Sequence, residues 1–179
     1  CLVFDLSDSM LRPTAEGVTQ LDALRVAALD FVALPEFEHD ALSLVGFADE
    51  ARVLREPGPA AELRTALEGL RSGGATDIAS GLEVAQQTFT PARERERWLL
   101  LFTDGKPQTS HPGDPAAAAR RAAQACRDAG VHIVAVGTGL AERAFLEELA
   151  GDPATARTEL TRAEGLFAPG RKKPIPYLP

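Results

Sequence analysis

Cys1-Leu2-Val3-Phe4-Asp5-Leu6-Ser7-Asp8-Ser9-Met10 begins as an uninterrupted apolar run and turns abruptly into a stretch of oxygen-bearing side chains. Four apolar residues without alternation are the pattern of a strand buried on both faces. Similar short runs recur at residues 41–47, 98–102 and 131–136. Amphipathic helical patterns separate them, at 21–34, 60–70, 78–89, 115–129 and 142–150. The first stops at Pro35; Pro115 suits a first helical turn, and Gly130 and Gly151 suit helix ends. Strand alternating with helix predicts an α/β fold, a mostly parallel sheet covered by helices on both faces. Residues 51–54 follow 41–47 across Ala48, Asp49 and Glu50 alone, so a hairpin should place one antiparallel strand at an edge.

The bulk composition agrees. A chain of 179 residues, 45% hydrophobic and 25% charged, is the size of one globular domain. A net charge of -7 argues against a nucleic-acid partner and gives no reason to expect direct membrane contact, but suits a cation ligand. No apolar stretch approaches the roughly 20 residues of a membrane span. Cys1 and Cys126 read as small apolar residues, with neither a disulfide framework nor zinc spacing around them. The chain opens without Met and directly in a strand, as expected of a domain cut from a longer protein or of a strand lacking its first residues. The domain is expected to span residues 1–168, with 157–167 a last strand or short helix. The Pro-rich, basic stretch 169–179 reads as an extended tail.

In an open parallel sheet, ligands bind beyond the carboxyl ends of the strands, where strand order reverses. The first strand runs into Asp5, Ser7 and Ser9; the strand at 98–102 runs into Thr103-Asp104-Gly105-Lys106; and Gly73-Gly74-Ala75-Thr76-Asp77 opens a helix. Spaced by two, Asp5, Ser7 and Ser9 can be aimed at one point by an extended turn. Thr76 adds a third hydroxyl, and Asp104, on the solvent edge of its strand, a second carboxylate. Oxygen donors without thiol or imidazole suit a hard cation: Mg²⁺ first, with Mn²⁺ or Ca²⁺ as alternatives. If hydroxyls bind directly and a carboxylate stays behind water, the ion keeps much of its charge and attracts a carboxylate from outside.

These three segments, in this order, resemble the metal-ion-dependent adhesion site of von Willebrand factor type A domains: Asp-x-Ser-x-Ser, a distant Thr, and a later Asp at a strand end. The resemblance covers residues 1–150. It implies a Rossmann-like three-layer sandwich of about six strands and a metal bound by Asp5, Ser7, Ser9, Thr76 and Asp104. It also implies a non-enzymatic module that captures an acidic residue of another protein. Many bacterial relatives work beside AAA+ ATPases of the MoxR or chelatase kind, a second expectation for the partner. A composition rich in Arg, with Lys only at 106, 172 and 173, suits a GC-rich bacterial genome and hence that setting. Two departures stand out. Asp8 lies between the serines where bacterial relatives commonly carry Gly, and residues 164–167 are expected to give at most a turn or two before Pro169, not the long last helix that acts as a switch in integrins.

Plainer roles compete for the same residues. Thr76 could cap the helix at 78–89, and Asp77 could simply favour its dipole. Lys106 reads as a solvated loop charge, Arg93 to Arg97 as a salt-laced loop, and His39, His111 and His132 as scattered and without metal spacing. A Mg²⁺-dependent phosphohydrolase of the haloacid dehalogenase kind would use Asp5 as nucleophile, but needs a second Asp where Ser7 stands. No Gly-x-Ser-x-Gly elbow supports a serine hydrolase.

Overall fold

Leu2–Asp5 (β1) is the central strand of the sheet, buried on both faces. The computed structural model of the chain describes residues 1–34, 37, 39–89, 96–104, 107–108, 113–137 and 142–151. In these residues the sheet has five strands, β1, Leu42–Phe47 (β2), Ala51–Gly58 (β3), Arg97–Thr103 (β4) and Val131–Gly137 (β5), in the order β3-β2-β1-β4-β5. All pairings are parallel except β2 with β3. About six strands were expected. The expectations for 157–167 and for the tail lie outside the described residues, as do those for Arg93 to Arg95, Lys106 and His111.

Side chains alternate along the strands and divide the core in two. Val3, Val45, Leu99, Leu101, Ile133 and Ala135 face Ile78–Gln87 (α3), Pro115–Asp128 (α4) and Arg143–Ala150 (α5). Leu2, Phe4, Leu44, Phe102, Val134 and Val136 face Gln20–Val32 (α1) and Leu63–Glu68 (α2). Phe4 and Phe102 meet edge to face at 5.1 Å, which fixes the register of β1 on β4 where both strands approach the site. Both cysteines are buried, as read from sequence, and burial pushes the Cys126 thiol up to about 11.

Several boundaries move for local reasons. α1 ends at Val32, because the residue before Pro35 is sterically disfavoured in the helical region. The pattern at 60–70 resolves into a 3₁₀ turn, Ala60–Glu62, followed by the short α2. α3 ends at Gln87, where the Thr88 hydroxyl donates to the Ala85 carbonyl at 2.8 Å. β3 runs four residues beyond 54, through Arg55, Glu56 and Pro57. An edge strand tolerates charges and Pro because its outer backbone needs no partner. Arg97 is no loop charge: it starts β4, and its guanidinium donates to the Ala129 carbonyl at the end of α4 at 2.5 Å. His132 stacks on Trp98 across β4 and β5, ring centroids 4.6 Å apart.

From β1 the chain turns to β2 on one side, whereas β4 lies on the other. The strand order therefore reverses between β1 and β4, and the crevice beyond their carboxyl ends is where a ligand is expected.

Candidate metal centre

β1 and β4 are parallel and in register, with Phe4 opposite Phe102, so Asp5 and Thr103 emerge side by side at the sheet edge. Asp5 is fully buried. One of its carboxylate oxygens accepts the Ser7 backbone N–H at 2.8 Å, and the other accepts the Thr103 hydroxyl at 2.5 Å. Burial pushes its carboxyl above the usual carboxylate range; the bonds from Ser7 and Thr103 oppose that shift, and the nearby Asp104 charge adds to it.

After Asp5 the chain does not follow an extended turn. Ser7 is extended (φ -63, ψ 164), and Asp8–Leu11 then closes one 3₁₀ turn. Met10 N–H donates to the Ser7 carbonyl at 3.1 Å, and the Met10 side chain is buried, pinning the turn to the core. The turn brings the two serine hydroxyls to 2.9 Å from one another. Ser9 in turn donates to an Asp104 carboxylate oxygen at 2.6 Å. Asp5, Ser7, Ser9 and Asp104 thus form one continuous oxygen cluster. Asp104 is not on the solvent edge as the sequence suggested but 0% exposed, since the turn after β1 folds across it. Asp8 is exposed, so the extra carboxylate between the serines stays in solvent.

The loop that carries Thr76 is tied to the same turn. Gly73 N–H donates to the Leu6 carbonyl at 2.7 Å, and Asp8 N–H to the Gly74 carbonyl at 3.0 Å. Ser72 hydroxyl bonds the Leu6 carbonyl at 2.9 Å and also reaches the Ser7 carbonyl. From the β4 side, Gln108 N–H donates to the Thr76 carbonyl at 2.9 Å. Thr76 is buried, and it does not cap α3. Asp77 does, accepting the Ser80 N–H at 3.1 Å. Sequence reasoning missed Thr103 and Ser72, which hold Asp5 and the serine turn in place. The only signal for Thr103 is its position before Asp104.

The second oxygen of Asp104 is buried and has no hydrogen-bond partner among the described residues. A buried carboxylate oxygen left unpaired is costly, and a cation is the usual remedy. Around it stand a second carboxylate and hydroxyls, a donor set that fits a hard divalent ion. No group of three or more His, Cys, Asp or Glu side chains suited to a metal occurs among the described residues; hydroxyls would have to supply the remaining donors here.

The sequence model of the von Willebrand factor type A domain matches residues 1–166. The chain belongs to this family. Its fold is the one expected, a Rossmann-like, mostly parallel sheet with one antiparallel edge strand between helical layers. One curated relative is the magnesium-chelatase 60 kDa subunit of Rhodobacter capsulatus, 32% identical over 120 residues, or 62% of this chain. The matched region is 21% of that relative's length. Among solved structures, the chain resembles BatB from Bacteroides thetaiotaomicron (18% identity, TM-score 0.67, 93% of this chain and 96% of that one). It also resembles proximal thread matrix protein 1 of the mussel byssus, in a form whose metal-ion-dependent adhesion site is occupied by zinc (18% identity, TM-score 0.69, 92% of this chain and 46% of that one). At these identities the structural likenesses show the fold.

Proposed function

We propose that this von Willebrand factor type A domain is a non-enzymatic binding module. Asp5, Ser7, Ser9, Thr76 and Asp104 hold a divalent cation, Mg²⁺ foremost, and through it capture an acidic residue of a partner protein. The observation that carries this reading is the buried Asp104 oxygen without a partner among the described residues, set against a cluster made otherwise of one carboxylate and hydroxyls. When bound, the cation would supply positive charge that attracts an outside carboxylate. The protein's part is to keep that charge from being neutralised. Ser7, Ser9 and Thr76 are neutral donors, and the Thr103 and Ser7 N–H bonds already engage both oxygens of Asp5.

Within this reading the partner can be part of a larger machine. The similarity to a magnesium-chelatase subunit favours work beside an AAA+ ATPase of the chelatase or MoxR kind, the domain serving as its metal-dependent regulatory or scaffold element.

The test uses glutamate-bearing peptides on a surface. The expected result is retention of the chain in Mg²⁺, release by EDTA, and loss of retention when the peptide Glu becomes Gln. Retention that survives EDTA would overturn the metal-bridged mode.

A further inference from the structure

On the reading above Thr76 is a metal ligand, and the bonds that hold the loop on either side of it come from an unexpected place. Ala48, Asp49 and Glu50 form the turn between β2 and β3, closed by Ala48 N–H on the Glu50 carbonyl at 3.0 Å. Two bonds leave this turn and land on either side of Thr76. Asp77 N–H donates to the Ala48 carbonyl at 2.8 Å, and Ala75 N–H donates to the Asp49 carboxylate at 3.1 Å. An Asp in a tight turn ordinarily bonds its own backbone. Asp49 instead accepts from a residue 26 positions further on.

Gly74 makes that reach possible. It stands at φ +100, a conformation that side chains rarely adopt, and a Cβ there would lie 2.3 Å from the second Asp49 carboxylate oxygen and 3.3 Å from the Ala48 Cβ. Any side chain at 74 would push the Asp49 carboxylate off the Ala75 N–H. Gly74 is thus matched to a carboxylate on a different loop.

We propose that Asp49 is a positioning residue for the metal site. From the β2–β3 turn it clamps the Ala75 amide and so presents Thr76 to the cluster, without itself being a ligand. The clamp rests on the metal reading above for its purpose but not for its existence. It also links the antiparallel edge of the sheet to the metal centre: a partner that moves the β2–β3 turn would change metal affinity.

The experiment compares the parent chain, Asp49→Ala, Asp49→Asn, Gly74→Ala and the Asp49→Ala/Gly74→Ala double variant. Each is read by Mg²⁺ titration calorimetry, amide exchange at Ala75 and thermal melting. Loss of one hydrogen bond to a charged acceptor should speed Ala75 exchange and weaken Mg²⁺ about tenfold in Asp49→Ala, with little change in melting, because the site is exposed. Asp49→Asn keeps the acceptor oxygen and should stay within about threefold of the parent, a difference of at most about 0.6 kcal/mol. Gly74→Ala should weaken Mg²⁺ on its own, but less in the Asp49→Ala background, since the two act on one contact. Asp49→Asn as weak as Asp49→Ala would mean that only charge matters, and would overturn the clamp. So would parent-like Mg²⁺ affinity in Asp49→Ala. Should the parent take up no Mg²⁺, the metal reading falls by itself. Ala75 exchange still decides the clamp: faster in Asp49→Ala supports it, unchanged overturns it.

Discussion

Ser9 joins the two halves of the cluster, and its hydroxyl is the one donor seen on Asp104 among the described residues. Ser9→Ala therefore leaves both Asp104 oxygens without a donor among the described residues in the metal-free chain, a loss of about 1 kcal/mol, since a partly exposed position lets water replace it in part. With a cation present, water can also replace one neutral oxygen, so Mg²⁺ affinity should fall about tenfold and not vanish. Urea unfolding with and without Mg²⁺ checks both numbers; unchanged affinity would remove Ser9 from the ligand set. At this scale the sequence was informative about which oxygens gather and silent about how. Asp5, Ser7, Ser9 and Asp104 were legible because they follow strand ends at one edge of the sheet, although the serines meet through a 3₁₀ turn and not the extended turn that their spacing suggested. The burial of Asp104 was not, because it depends on a 3₁₀ turn held by Met10 in the core and by bonds from the distant 72–74 loop. The role of Asp77 as N-cap was hidden as well: Thr76 and Asp77 are both good caps, and only the φ,ψ of the loop chooses between them.

Helix α3 carries the Thr76 loop at its start and lies close to β2 by virtue of Gly81. A Cβ at 81 would come within 2.8 Å of the Phe47 ring, and Phe47 is fully buried. Helix propensity alone predicts that Gly81→Ala stabilises by about 1 kcal/mol. Overpacking against a buried ring costs about 1–3 kcal/mol, so the net effect should be destabilising. Denaturant unfolding measures the sign; a stabilised variant would show that α3 can shift off β2 freely. The elements themselves were readable from sequence, since apolar runs and helical spacing reflect burial directly. Their ends were less so. β3 looked half its length because Arg55, Glu56 and Pro57 belong to an edge, where the pattern of a buried strand does not apply. Long-range caps were invisible. Arg25 reaches the Leu67 and Leu70 carbonyls at the end of α2, and Arg97 the Ala129 carbonyl at the end of α4; neither pairing has a local signal.

The whole molecule is organised so that a reversal of strand order meets three loops at one edge. The mostly parallel sheet followed from alternating strands and helices, and the family match agrees with it; the strand order did not, because it depends on pairings far apart in sequence. No helix among the described residues is long and apolar enough to cross a membrane. The central claim is that this edge holds a divalent ion, and that Asp104 is the residue it cannot do without. Replacing Asp104 by Ala removes a buried carboxylate with one oxygen unpaired among the described residues and relieves its repulsion with Asp5, so the metal-free fold should be unharmed or more stable by about 1 kcal/mol. The most direct measurement is calorimetric titration of Mg²⁺ into the parent and into Asp104→Ala, with thermal melts of both in EDTA. The predicted result is a single saturable site in the parent, no measurable heat in Asp104→Ala, and melting of the metal-free variant at or above that of the metal-free parent. Equal Mg²⁺ binding by the two proteins would contradict the account and move the working site away from this edge of the sheet.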